Sequence, residues 1–181
     1  MNWEKKGDTH YSPRALLREQ KAHCIEGAAF AAAALWYHGE KPLLMDLYAL
    51  DGVGDVDHVV ALYKRDGRWG AISKTNHATI RFRDPVYKTL RELALSYFHE
   101  WFMNTNGLKT LESYSTPLDL RRFGDAWITA DENLFWLDDA LNALPHYKII
   151  PAKTRKYLRK ADAMELKAGR FEEWGRKDTK N

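Results

Sequence analysis

Two short stretches carry residues able to do chemistry together. In KAHCIEGAAFAAAALWYHG, Cys24 stands where an alanine-rich helix begins, and it is the only cysteine of the chain. A thiol attacks carbonyl carbon as its thiolate, and a helix N-terminus carries about half a positive charge that favours the anion. Such a cysteine also needs a base brought from elsewhere in the chain. His58 is the candidate. It opens the run HVVALYKRDGRWGAIS just after a Gly- and Asp-rich loop, a place from which an imidazole can project at a sheet edge. Glu26, in the first helical turn, is expected either to complement the helix dipole or to bind a substrate amine. Gly27 and Ala28 would let a strand or substrate approach the helix closely.

The elements that must position these groups follow from periodicity and turn chemistry. Residues 24–38 read as a helix ended by Gly39, and its interior GAAFAAAALW has no polar stripe. A helix of that kind is covered on all sides, so it should be the central helix of the core. Residues 43–50 read as a strand. Residues 58–75 read as a hairpin turning at Asp66-Gly67. In that register Arg65 pairs with Arg68 and His58 falls opposite Thr75. His58 then shares a face with Ser73 and Thr75, while Asn76 points to the other side. A short helix over 14–20 is capped by Ser12. Residues 77–83 alternate as a third strand. Asp84-Pro85 is expected to open a helix through about Met103, with the aromatics of SYFHEWF in the core. Thr129–Glu132 reads as a capping box before a helix to about Leu144, and a charged helix is expected over 154–168. Helix first, then strands, then helices indicates an α+β domain.

A Cys at the head of a buried helix, a strand-initial His and a second strand ending in a polar residue resemble the transglutaminase-like superfamily of papain-type thiol enzymes. The resemblance spans residues 20–77. The family block runs His, strand, a turn such as Asp-Gly-Lys-Trp, then a strand closing on Asp. His58, Asp66-Gly67 and Trp69 match it, and Ser73 stands where the family has Asp. The resemblance implies a papain/transglutaminase-like α+β fold: a central buried helix on a small antiparallel sheet, with additional C-terminal helices. It implies acyl transfer through a thioester, Cys24 attacking an amide or ester carbonyl while His58 takes and returns the proton. Ser73 is expected to orient the imidazole, with Asn76 as the alternative third member if a bulge shifts the register. A hydroxyl is neutral, so the ion pair is expected to be weaker than with a carboxylate. Asp55 and Asp57 are the loop groups placed to supply negative charge. The oxyanion is expected at the backbone N–H of Cys24, with Gln20 as second donor at a shorter spacing than in the family. Fast alkylation of Cys24 below neutral pH is the corresponding expectation. No cofactor and no metal is implied, and Cys24, His58 and His77 have no metal-ligand spacing. The implied partner is a peptide-like or amide substrate. If the site is silent, the domain is a transglutaminase-like binding module and the partner is a protein.

Composition bounds the rest. The chain has 181 residues, 45% apolar and 13% aromatic, which excludes a disordered polymer. That length suits a single domain over 1–150 followed by a basic tail or helix over 151–181. No apolar run approaches the roughly 20 residues that span a bilayer, so no membrane partner is expected. The opening residues MNWEKKGDTHYSPR contain no apolar secretion core, and a cytoplasmic protein of bacterial type is expected. One cysteine excludes an internal disulfide framework and an all-Cys zinc site. Residues 153–181 hold ten Lys or Arg against five Asp or Glu, leaving 18 against 20 in residues 1–152. Nucleic acid or an acidic partner is therefore expected only through the tail.

Overall fold

The structure is a computed structural model that describes residues 8–173. Helix α1 (Pro13–Glu19) starts where Ser12 Oγ accepts the N–H of Ala15 at 3.1 Å and Pro13 pre-sets the first turn. It ends at Gln20, whose backbone is left-handed with φ 56°. Helix α2 (Cys24–Tyr37) forms as expected and packs on the sheet, but it is not covered on all sides, for Ala34 and Tyr37 near its C-terminal end are exposed. Its small residues Ala28, Ala29 and Ala32 are fully or almost fully buried, which lets its axis lie close to the sheet. Glu26 closes the base of this helix. Its carboxylate accepts the N–H of His23 at 2.5 Å, the N–H of Tyr11 at 2.7 Å and the hydroxyl of Thr9 at 2.8 Å.

Seven strands build one antiparallel sheet: β1 (Leu43–Ala49), β2 (His58–Arg65), β3 (Arg68–Ile72), β4 (Arg83–Tyr87), β5 (Leu111–Ser115), β6 (Leu118–Asp119) and β7 (His146–Lys148). Their order is β4-β3-β2-β1-β5-β7, with β6 also paired to β1. The β2–β3 hairpin has the predicted register, Arg65 opposite Arg68 and Ala61 opposite Ile72. Asp66 and Gly67 both take positive φ, 46° and 75°, as a two-residue hairpin turn requires.

The sheet separates two cores. On one face α2 packs with Leu44, Val59, Ala61, Trp127 and α5 (Trp136–Asn142). On the other, α3 (Leu90–Phe98) and Trp101 pack on Met45, Leu47, Val60 and Leu62. The aromatics Tyr97, Phe98 and Trp101 are buried as expected. The molecule is thus a mixed α+β domain with an antiparallel sheet. Among the described residues no helix is long and apolar enough to cross a membrane.

Four sequence expectations change. Residues 77–82 form a loop, and the strand falls at β4 instead. The helix expected from Asp84 begins only at Leu90, because Thr89 and Glu92 make the working capping box. Thr129 ends the four-residue helix α4 (Ala126–Thr129) rather than capping the next one. The expected helix over 154–168 is a 3-10 turn (Ala152–Tyr157) followed by α6 (Ala163–Gly169), capped by Asp162. This region is docked: Ala161 N–H donates to Gly107 O at 2.9 Å, and Glu173 N–H donates to Asn76 O at 2.9 Å. The rest of the expected tail, residues 174–181, lies outside the described residues, as do residues 1–7.

Candidate active site

Helix α2 and the β2–β3 hairpin meet at the end of the sheet where β2 begins. A cavity of about 330 Å³ opens there, walled by Cys24, His58, Asn76, His77, Trp101 and Gly169 among others. Close packing fixes the junction. A Cβ on Gly27 would lie 2.4 Å from Lys74 Cβ, so glycine one turn after Cys24 is what lets α2 touch the strand end. Strand alternation sends Val59 to the α2 side and Val60 to the α3 side, and His58 shares the side of Val60. Cys24 thus reaches the cavity from the α2 side and His58 from the α3 side, around the start of β2. Among the described residues no hydrogen bond joins their side chains.

His58 is 6% exposed, and its ring stands edge-on to Trp101 with centroids 6.0 Å apart. Its Nε2 hydrogen-bonds Ser73 Oγ, as the hairpin register predicts. Ser73 Oγ also lies 3.3 Å from Ile80 O. A carbonyl can only accept, so the one hydroxyl proton goes to Ile80 and Nε2 must donate to Ser73. That assigns the proton to Nε2 and leaves the basic lone pair on Nδ1. Burial, with His77 and Lys74 adding to it, lowers the imidazole from 6.5 to about 4. It is neutral at neutral pH.

Cys24 is half-buried. Burial pushes its thiol up, and hydrogen bonding from the backbone of Val59 and Ile25 opposes that only in part. Asp46 and Asp138 add to the upward push. The helix N-terminus does not win here, and the Glu26 carboxylate seated in the same turn offsets its positive end. The resting pair is a neutral thiol and a neutral imidazole. The upward push on the thiol runs against the expectation of fast alkylation below neutral pH.

The structure does not bring Gln20 or Glu26 to the cavity. Gln20 is exposed, and its amide turns back to donate to Leu17 O at 2.6 Å. Glu26 is 2% exposed, and the hydrogen bonds of the N-terminal segment occupy it. Asp55 and Asp57 line the cavity without charging His58. Asp55 accepts from Trp101 Nε1 at 3.0 Å and from Thr110 Oγ1, and Asp57 accepts the N–H of Ala49 at 2.7 Å.

Asn76 does not touch His58 in the place of Ser73. It offers something else. Lys74 Nζ donates to Asn76 Oδ1 at 2.7 Å, which fixes the amide so that Nδ2 is the free end. That Nδ2 is buried and has no partner among the described residues, in a residue lining the cavity. A buried unpaired donor costs about 1–3 kcal/mol unless something accepts from it. This role differs from the expected alternative partner of His58 and is not legible in the sequence, because the orientation depends on Lys74. Sequence reading also missed the walls from distant segments, Trp101, Asn104 and Gly169. SYFHEWF reads as core, and no local signal marks the others.

Compared with known proteins, the chain matches no protein-family model and no curated protein.

Proposed function

We propose that the domain carries a thiol site for acyl transfer or amide hydrolysis, with Cys24 as nucleophile, His58 as base and Ser73 as the group that orients it. The supporting observation is the Ser73 hydroxyl shared between His58 Nε2 and Ile80 O, which leaves Nδ1 as the basic atom of a residue lining the same cavity as the only cysteine. The fold that goes with this reading is the transglutaminase-like one: a cysteine-bearing buried helix followed by antiparallel strands with His58 at the head of the second.

Cys24 Sγ attacks the carbonyl carbon of an amide or ester while its proton passes to Nδ1 of His58. The tetrahedral oxyanion takes hydrogen bonds from the Cys24 N–H and from Asn76 Nδ2, in the role that Gln20 does not reach. Nδ1 then gives the proton to the departing amine or alcohol as the thioester forms. Water or a second amine attacks the thioester, its proton goes to Nδ1, and that proton returns to Sγ as the acyl group leaves. Because thiol and imidazole both rest neutral, deprotonation accompanies attack, as with a serine nucleophile, rather than preceding it.

Incubation with p-nitrophenyl acetate tests this. Intact-protein mass spectrometry should find one acetyl group, on Cys24, at a rate that falls at least about tenfold in His58→Ala. Absence of both an adduct and catalysed p-nitrophenolate release in the native protein, or an equal rate in His58→Ala, would refute it. The second reading, a silent binding module, is favoured by one observation: among the described residues no carboxylate contacts His58, and burial lowers the ring to about 4. An inert Cys24 in the native state is its signature.

A further inference from the structure

At the rim of the cavity the chain already holds an extended segment of itself. Residues 76–78 and 171–173 run antiparallel with His77 opposite Glu172. Ala78 N–H donates to Phe171 O at 3.1 Å, and Glu173 N–H donates to Asn76 O at 2.9 Å. These two bonds flank His77, and Asn76, whose carbonyl accepts one of them, is the residue whose Nδ2 has no partner among the described residues. The side-chain contact is specific as well. Glu172 Oε1 lies 3.4 Å from His77 Nδ1 and 3.3 Å from Asn104 Nδ2, atoms that Gly169 O also meets at 3.1 Å and 3.2 Å, and His77 and Asn104 both line the cavity. Phe171 is 77% exposed, so its ring does not hold the segment there. Backbone pairing and a read carboxylate do, and backbone pairing serves any extended chain that reaches the same edge.

We propose that residues 76–78 form the docking edge for the substrate of the Cys24 cavity. The ligand is an extended polypeptide with a carboxylate side chain opposite His77, and residues 171–173 occupy its place as a competitor in cis. This deepens the acyl-transfer reading, and it rests on that reading only for the fate of the docked chain. Docking itself needs no reactive thiol.

The test uses the full chain and a fluorescein-labelled peptide of residues 167–173, KAGRFEE, followed by anisotropy. Glu173→Pro removes the N–H that donates to Asn76 O, and Glu172→Lys reverses the charge read by His77 and Asn104 without touching the backbone. Each variant should free the edge and bind the peptide at least about fivefold more tightly than the parent. A peptide with Lys in place of the residue opposite His77 should bind at least about fivefold more weakly to both variants. Equal binding by parent and variants, or indifference to the charge reversal, overturns the proposal. Cys24→Ser added to Glu173→Pro should leave peptide binding unchanged. A docking edge that binds while Cys24 resists acetylation would refute the acyl-transfer reading alone, and acetylation with flat anisotropy would refute the docking edge alone.

Discussion

Replacing His58 by Gln removes one titrating group from the buried wall and keeps an amide within reach of Ser73. In the native protein the imidazole titrates near 4, against 6.5 when unburied. Between those values the unfolded chain binds a proton that the folded one refuses, so stability falls as pH drops through this window. The two values give a loss of about 2–3 kcal/mol at pH 4.5 and almost none at pH 7.5. The ordinary cost of the substitution is present at both pH values and cancels in a double difference, as do all other titrating groups. Urea unfolding of both proteins at the two pH values supplies it. The gap in unfolding free energy between parent and His58→Gln should shrink by about 2–3 kcal/mol on acidification. Parallel stability curves would mean that His58 is not held neutral by burial, and the neutral resting pair would fall with it.

Asp46 works in the opposite sense. It is 3% exposed, and burial with the nearby Asp57 raises its carboxyl from 3.8 to about 7 despite its contact with His146 at 3.3 Å. The folded state then holds a proton that the unfolded state has lost, so stability declines as pH rises from 3.8 to about 7. Asp46→Asn should therefore gain on the parent by about 2–4 kcal/mol in urea unfolding at pH 8 relative to pH 4; a constant offset would contradict the raised value. Gly27→Ala puts a methyl against Lys74 Cβ and should destabilise by about 1–3 kcal/mol, against a helix-propensity gain of up to about 1 kcal/mol. A stabilised variant would show that the junction is loose. Ser73→Ala frees His58 Nε2 and the tautomer with it, and should slow acetylation of Cys24 at least about tenfold with thermal unfolding shifted by only a few degrees. An unchanged rate would show that Ser73 orients nothing.

The parts of the fold that were legible are those specified locally. Ser12 and Pro13 mark one helix start, the apolar run after Cys24 marks the buried helix, and Asp66-Gly67 fixes a register from which the Ser73–His58 contact follows. The misread parts obey distant constraints. Pro85 suggested a helix start, yet it lies in β4, an edge strand where a missing N–H is tolerated. In β5, Ser113 and Ser115 occupy buried positions where apolar residues would announce a strand. The upward push on the thiol is illegible in the sequence for a similar reason. Position at a helix start is visible in the chain, whereas desolvation of the sulfur is set by segments far away in sequence. The orientation of the Asn76 amide is likewise illegible, since only the folded Lys74 contact decides which way it turns.

The tight turn at Asp66-Gly67 faces solvent at the far tip of the hairpin, yet it sets a gauge for the chemistry at the other end. Inserting one residue there would slide β3 by a single step past β2, turning the Ser73 hydroxyl toward α2 and away from the imidazole. A loop tip of this kind ordinarily tolerates length changes freely, but in this protein an odd insertion would disconnect the site while leaving both of its partners in the chain.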